Sequence, residues 1–134
     1  MARQSFTTRE PTKRQRRLAE RLAQALRQAG AVPPPVKVLS QQVGAPPSAV
    51  RAMIEVLLGE GTLIRLGEEI FFHKDTLQEL AELVRQTIRE RGSLSVGEFR
   101  DLTGSSRKFV VPVLEYFDRI GLTRRTGDVR VLNE

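Results

Sequence analysis

The sequence predicts a mainly α-helical α+β fold with small β-hairpins, built from one unit used twice. Three observations carry this. Gly44–Phe72 aligns with Gly104–Leu132 without a gap, 60 positions apart. Apolar residues recur at helical spacing ahead of and within each block. Each block then closes on two short β-prone runs around a glycine-containing turn. In the alignment Val50, Ile54, Glu55 and Leu57 fall on Val110, Leu114, Glu115 and Phe117. Gly61, Arg65, Gly67 and Glu68 fall on Gly121, Arg125, Gly127 and Asp128. A duplication is an internal control: what both copies share reports the fold, and what one copy alone carries is a candidate for function.

Taken in order, residues 1–15 read as a basic flexible arm, rich in Ser, Thr, Pro and Arg. The first helix carries Leu18, Leu22, Ala25, Leu26 and Ala29 on one face and stops at Gly30. Pro33-Pro34-Pro35 breaks the chain stiffly. A short helix over Val36–Val43 ends at Gly44. Pro46-Pro47 opens a third helix, where the missing proline N–H costs nothing, and Val50, Met53, Ile54 and Leu57 form its buried stripe. Thr62–Leu66 and Glu69–Phe72 form a hairpin over Gly67-Glu68.

The second copy opens at Lys74. Thr76 and Glu79 have capping-box spacing, and Leu77, Leu80, Ala81, Val84 and Ile88 form the stripe. Ser93-Leu94 supplies a brief strand. Ser95 with Glu98 is another capping box, starting a helix that ends at Gly104. Ser105-Ser106 caps the third helix, whose core face is Val110, Val113, Leu114 and Phe117; Pro112 within it is expected to bend the axis. The last hairpin, Leu122–Thr126 and Val129–Leu132, turns at Gly127-Asp128. Helix, short strand, helix, helix, hairpin is the order of a winged helix: a helix-turn-helix followed by a β wing. The expected domains are winged-helix unit 1 at residues 16–73, a structural spacer, and winged-helix unit 2 at residues 74–134, the binding unit.

Composition narrows the chemistry. A unit of roughly 60 residues buries only about 60% of its unfolded surface, so the copies are expected to brace each other. There is no cysteine and one histidine, His73, which excludes disulfides, thiolate metal sites and multi-histidine sites. His73 has no evident partner and is expected to titrate in water. No apolar run approaches a membrane span, so a cytoplasmic chain with no membrane partner is expected. No phosphate loop, dinucleotide fingerprint or nucleophile elbow is present, and no catalytic or metal-binding residue is assigned. The net charge of +6 points to polyanions. Much of it lies in Arg3, Arg9, Lys13, Arg14, Arg16 and Arg17, opposed there by Glu10 alone. That run either grips a polyanion or is solvated.

The contrast between the copies is electrostatic. Where copy one has Pro47-Ser48, copy two has Arg107-Lys108; where copy one has Ile64 and Ile70, copy two has Arg124 and Arg130. Ser105, Ser106, Arg107 and Lys108 stand at a helix start, where free backbone N–H groups and the helix dipole attract phosphate. Arg107 can grip phosphate with two parallel bonds, and Lys108 supplies a compact charge. An ordinary serine cap followed by solvated bases accounts for the same residues. Arg124, Arg125 and Arg130 share one small hairpin. Arg125 matches Arg65, which points to a structural role, and pairing with Glu115, whose equivalent Glu55 is likewise shared, is one candidate for it. Arg124 and Arg130 lack such a partner and are the stronger binding candidates. Phe109 and Tyr116 read either as stacking aromatics or as packing between units. Beyond Lys108 the exposed side of the third helix reads Val111, Glu115, Asp118 and Arg119, with few groove readers and two repelling carboxylates. Binding energy at the helix tip and wing suits an RNA loop better than a DNA groove.

Leu94–Leu132, reading LSVGEFRDLTGSSRKFVVPVLEYFDRIGLTRRTGDVRVL, resembles the C-terminal end of the bacterial selenocysteine-specific translation elongation factor. The matching run is E-F-R-D-L-x-G-x-S-R-K followed by P-x-L-E-Y-F-D-R-x-G-x-T-R-R-x-G-D-x-R. The first copy matches far more loosely. The resemblance implies the last two of four winged-helix domains that follow a GTPase half. It implies that the final domain binds the loop of an mRNA stem-loop, recruiting the factor and selenocysteinyl-tRNA to the ribosome at a UGA codon. It places RNA contacts at Ser105, Ser106, Arg107, Lys108, Arg124, Arg125 and Arg130. GTP and Mg would belong to the absent half, leaving no cofactor in this chain, which is expected to be a monomer and not an enzyme. A DNA-binding regulator and a protein-interaction scaffold are the alternatives.

Overall fold

The computed structural model describes residues 10–134, which form six helices and five short strands. In unit 1, α1 (Lys13–Ala29) starts on a capping box. Thr12 Oγ1 accepts from Gln15 N–H at 3.0 Å and Thr12 N–H donates back to Gln15 Oε1 at 2.9 Å. Lys13–Gln15 are therefore helix, correcting the arm drawn to residue 15; residues 1–9 of that arm lie outside the described residues. Ala19, Leu22 and Leu26 of α1 meet α2 (Val36–Val43) and α3 (Pro47–Gly59), burying Leu39, Val50, Ile54 and Leu57. The antiparallel pair β1 (Leu63–Gly67) and β2 (Ile70–His73) completes the unit.

Unit 2 runs α4 (Lys74–Arg91), β3 (Leu94–Ser95), α5 (Val96–Thr103), α6 (Arg107–Arg119), β4 (Thr123–Thr126) and β5 (Val129–Leu132). Its sheet has three strands in the order β3-β5-β4. The Ser95–Glu98 capping box forms as its spacing requires. α6 is continuous across Pro112.

Three expectations need correction. Copy one has no counterpart of β3, and its sheet has two strands. Leu94 and Ser95 align with Pro34 and Pro35, which have no N–H to give to a ladder. The first hairpin turns at Glu68-Glu69, with Glu69 at φ +62° and the pairing register shifted between Arg65 and Gly67. The intervening Leu66 belongs to the core of unit 2, so this bulge re-aims one side chain across the boundary. Finally, α4 starts before Thr76: His73 is its cap, with Nδ1 accepting from Asp75 N–H at 3.0 Å. His73 is half-buried, and burial lowers its pKa from the ordinary 6.5.

Thr76 and Glu79 serve the junction instead. Arg27 of α1 donates from Nη1 to Thr76 Oγ1 at 3.2 Å and to Glu79 Oε1 at 3.1 Å. Leu66 and Phe72 join the unit 2 core, and Ile64 and Ile70 pack against it with Phe109 and Tyr116. β1 itself lies on α6. Each unit thus buries its neighbour's apolar surface, which meets the burial deficit expected of a 60-residue unit.

Candidate nucleic-acid interface

The interface is built on α6. Gly104, at φ +68°, ends α5 and swings the chain through Ser105-Ser106 into α6. Ser106 is the cap residue by backbone conformation, yet its hydroxyl caps nothing and its side chain is exposed. Its carbonyl accepts from Phe109 and Val110 N–H. Arg107 and Lys108 follow as the first helical residues, both exposed. Their N–H groups precede the first intrahelical bond and stay open to a ligand. Lys108 Nζ lies 5.4 Å from the Phe109 ring centroid, a contact that holds the ammonium near the helix start. Proline at 112 also leaves the Lys108 carbonyl without its i+4 donor.

Ser105 does something different. Its Oγ donates to the Ala31 carbonyl at 2.6 Å, 74 residues away in unit 1. The hydroxyl positions the turn by tying it to the neighbouring unit. Ser106, Arg107 and Lys108 are the exposed members of the cluster.

The wing leaves the opposite end of α6, which is about 20 Å long. Arg124 is exposed on the face it shares with its cross-strand partner Val131, its Nη1 3.3 Å from Thr126 Oγ1. Arg125 is exposed too, but its Nε donates to the Gly127 carbonyl at 3.0 Å across the turn. The candidate Arg125–Glu115 pair does not form, whereas Arg65 Nη2 does meet Glu55 at 2.9 Å in unit 1. A local carbonyl two residues away satisfies Arg125 without reaching back to the helix.

Arg130 reverses its expectation. It is 5% exposed, directly opposite Leu94 and Arg125 in the sheet. Its Nη2 lies 2.9 Å from Asp118 Oδ2. Arg130 therefore has a partner and carries the wing's attachment to α6. Asp118 is correspondingly turned inward and neutralised, and Glu115 is the one exposed carboxylate of the pair expected to repel polyanions. The duplication held the clue: Asp118 and Arg130 align with apolar Leu58 and Ile70, so polar residues stand in copy two where copy one has half-buried apolar ones.

Pairing separates the third helix and wing of one unit from those of the other. In unit 1 Arg51 meets Glu69 at 2.7 Å and Arg65 meets Glu55, and Arg51 holds the Glu69 carboxyl below its ordinary range. In unit 2, Arg107, Lys108, Arg124 and Arg125 form no ion pair among the described residues. The isoleucines of the first wing also acquire a reason. Ile64 and Ile70 are apolar because unit 2 covers them, with α6 itself packed on β1. The same contact occupies part of the α6 flank, leaving the helix tip and second wing as the open basic elements of α6 and its hairpin.

Comparison with known proteins agrees with this architecture. Residues 86–132 match the model of the winged helix of elongation factor SelB. The selenocysteine-specific elongation factor of Desulfomicrobium baculatum is 36% identical over 107 residues, covering 80% of this chain and 17% of that protein. The factor of Escherichia coli K12 is 32% identical over 99 residues, covering 74% and 16%. The chain thus spans about a sixth of the length of these relatives. The mRNA-binding domain of elongation factor SelB from E. coli, solved in complex with SECIS RNA, superposes with a TM-score of 0.76 at 30% identity. That match covers 92% of this chain and all of the other. Bacterial elongation factor EF-Sec superposes over 93% of this chain and 20% of its own, with a TM-score of 0.71 at 20% identity, a likeness of fold alone. A tandem of winged helices, matched over 92% of its length by one solved domain and in its second half by a family model, places the chain in the SelB winged-helix family of selenocysteine-specific elongation factors.

Proposed function

We propose that this chain binds an mRNA stem-loop through unit 2 and serves as the recruiting module of a selenocysteine-specific elongation factor. The observation that carries the reading is the unpaired basic tip at Ser106, Arg107 and Lys108, with Arg124 and Arg125 exposed on the wing of the same unit, where the third helix and wing of unit 1 have Arg51 and Arg65 paired with Glu69 and Glu55. Exposed guanidiniums and helix-start N–H groups suit the phosphates and splayed bases of a loop. The likeness to the mRNA-binding domain of SelB, solved with SECIS RNA, supports the same choice of ligand.

In this reading Ser105 and Arg130 are supports: one fixes the turn, the other fixes the wing. The chain works in the cytoplasm as a monomer without a cofactor of its own. GTP hydrolysis, selenocysteinyl-tRNA and ribosome contacts belong to the rest of the factor, which uses the bound hairpin to act at a UGA codon. The test is a competition between a stem-loop transcript taken from the UGA context of a selenoprotein message and a DNA duplex of equal length. Preference for the transcript by at least 10-fold is expected, with affinity falling steeply as salt rises. Equal binding of both would favour a DNA-binding regulator and remove the reading.

A further inference from the structure

The sequence's other basic run has not been used by the site in unit 2. Arg14, Arg17 and Arg21 recur at intervals of three and four residues on α1, and Gln24 and Gln28 continue the same line. All five are exposed. Their spacing places them on one side of the helix. The other arginines of described α1 face elsewhere and are spoken for: Arg16 meets Glu60 at 2.7 Å, and Arg27 holds Thr76 and Glu79. Arg14, Arg17 and Arg21 form no ion pair among the described residues.

This line borders a furrow. Two confluent depressions of about 790 and 510 Å³ share Arg17, Arg21 and Val43 as walls. Gln42 and the Gly44–Pro46 turn form the opposite bank. Glu20 is the one carboxylate on the rim. Large exposed apolar residues occur at Val32, Leu102 and Ile120, none of which lines the furrow. A protein partner anchors best on an aromatic or large apolar pocket, and no aromatic side chain lines the furrow, whose apolar walls are Pro46, the half-buried Leu18 and several alanines beside the buried Val43. Three guanidiniums over about 10 Å of helix, beside amide side chains able to meet sugar and base edges, fit a nucleic-acid backbone instead.

We propose that this furrow is a second RNA-binding surface, on unit 1, with Arg14, Arg17 and Arg21 gripping successive phosphates of an unpaired strand. It is separate from the unit 2 tip in sequence, element and charge pattern. The chain would then hold two RNA segments at once.

The test uses the whole chain carrying Arg107→Glu and Lys108→Glu, so that the unit 2 tip is silenced, with a labelled oligouridine as probe. Binding of the probe to this background is expected. Adding Arg14→Glu, Arg17→Glu and Arg21→Glu should weaken it at least 10-fold, and three Arg→Gln changes should weaken it less, in the same direction. The salt slope should drop by about 2, as three phosphate contacts on a single strand require. In the otherwise native chain, the α1 changes should alter stem-loop affinity by less than threefold, which keeps this surface distinct from the unit 2 reading. Circular dichroism should be unchanged, because these side chains make no ion pairs to lose. Unaltered oligouridine binding in the charge-reversed but folded chain would overturn the proposal. So would displacement of the probe by oligoglutamate as readily as by unlabelled oligouridine, which would mark a surface for acidic protein.

Discussion

Arg130 and Asp118 lock the second wing to its helix: Nη2 stands 2.9 Å from Oδ2, and Thr123 Oγ1 donates to Oδ1 of the same carboxylate at 2.6 Å. The arginine side chain is 6% exposed and the aspartate 27%, so the pair is largely withdrawn from water. Asp118→Ala strands the guanidinium and should cost about 2–3 kcal/mol in urea unfolding. The double change Asp118→Leu with Arg130→Ile, copied from unit 1, should recover most of that loss, because a well-packed apolar pair can replace a buried ion pair. A double variant as unstable as the single one would refute the lock.

Charge reversal offers a contrast between the units. Arg107→Glu with Arg124→Glu should lower stem-loop affinity by at least 100-fold at moderate salt and flatten its salt dependence. Arg51→Glu with Arg65→Glu should lower it less than fivefold, since both arginines are already neutralised by Glu69 and Glu55. Filter binding across a salt series reads both, and equal losses would place binding outside unit 2.

The first wing answers to packing. Ile70→Arg imports the residue that unit 2 has at this position, but into a surface packed against α6 and its neighbours. It should destabilise the chain by about 2 kcal/mol, as an unpaired charge at an apolar contact does. Thermal melting measures this; an unchanged melting temperature would mean the contact is dispensable.

His73 should give the chain a pH-dependent junction. Burial lowers its pKa, Asp75 opposes the shift, and Arg27 and Lys74 add to it. The unfolded state then binds the proton more readily, so stability is full above about 6.5 and falls as pH drops from there toward the folded value. Protonation of Nδ1 would also remove the acceptor for Asp75 N–H. His73→Asn keeps a capping acceptor and should flatten melting temperature against pH between about 5 and 7. An equally steep variant would assign the dependence to other groups.

Much of this was legible in the sequence because duplication repeats its own signals. The core stripes of α3 and α6, the glycine stops and the Ser95–Glu98 box depend on local spacing, and local spacing is written in the chain. The misreadings share a different cause: they concern what reaches across units or between helix and sheet. Thr76 and Glu79 have capping spacing, yet Arg27, 49 and 52 residues away, uses them. Arg130 looked free because its partner Asp118 is 12 residues distant and on another element. The reason Ile64 and Ile70 are apolar was hidden, because nothing in their own hairpin reveals the unit that covers them.

The junction has no slack. His73 ends β2 and caps α4 in a single residue, and Lys74 N–H bonds the Thr62 carbonyl at 3.0 Å. Arg27 and Ser105 bolt the same seam from either side. Unit 1 thus meets unit 2 as through a crank rather than a tether, and cutting the chain between residues 73 and 74 would part β2 from the helix that its last residue caps.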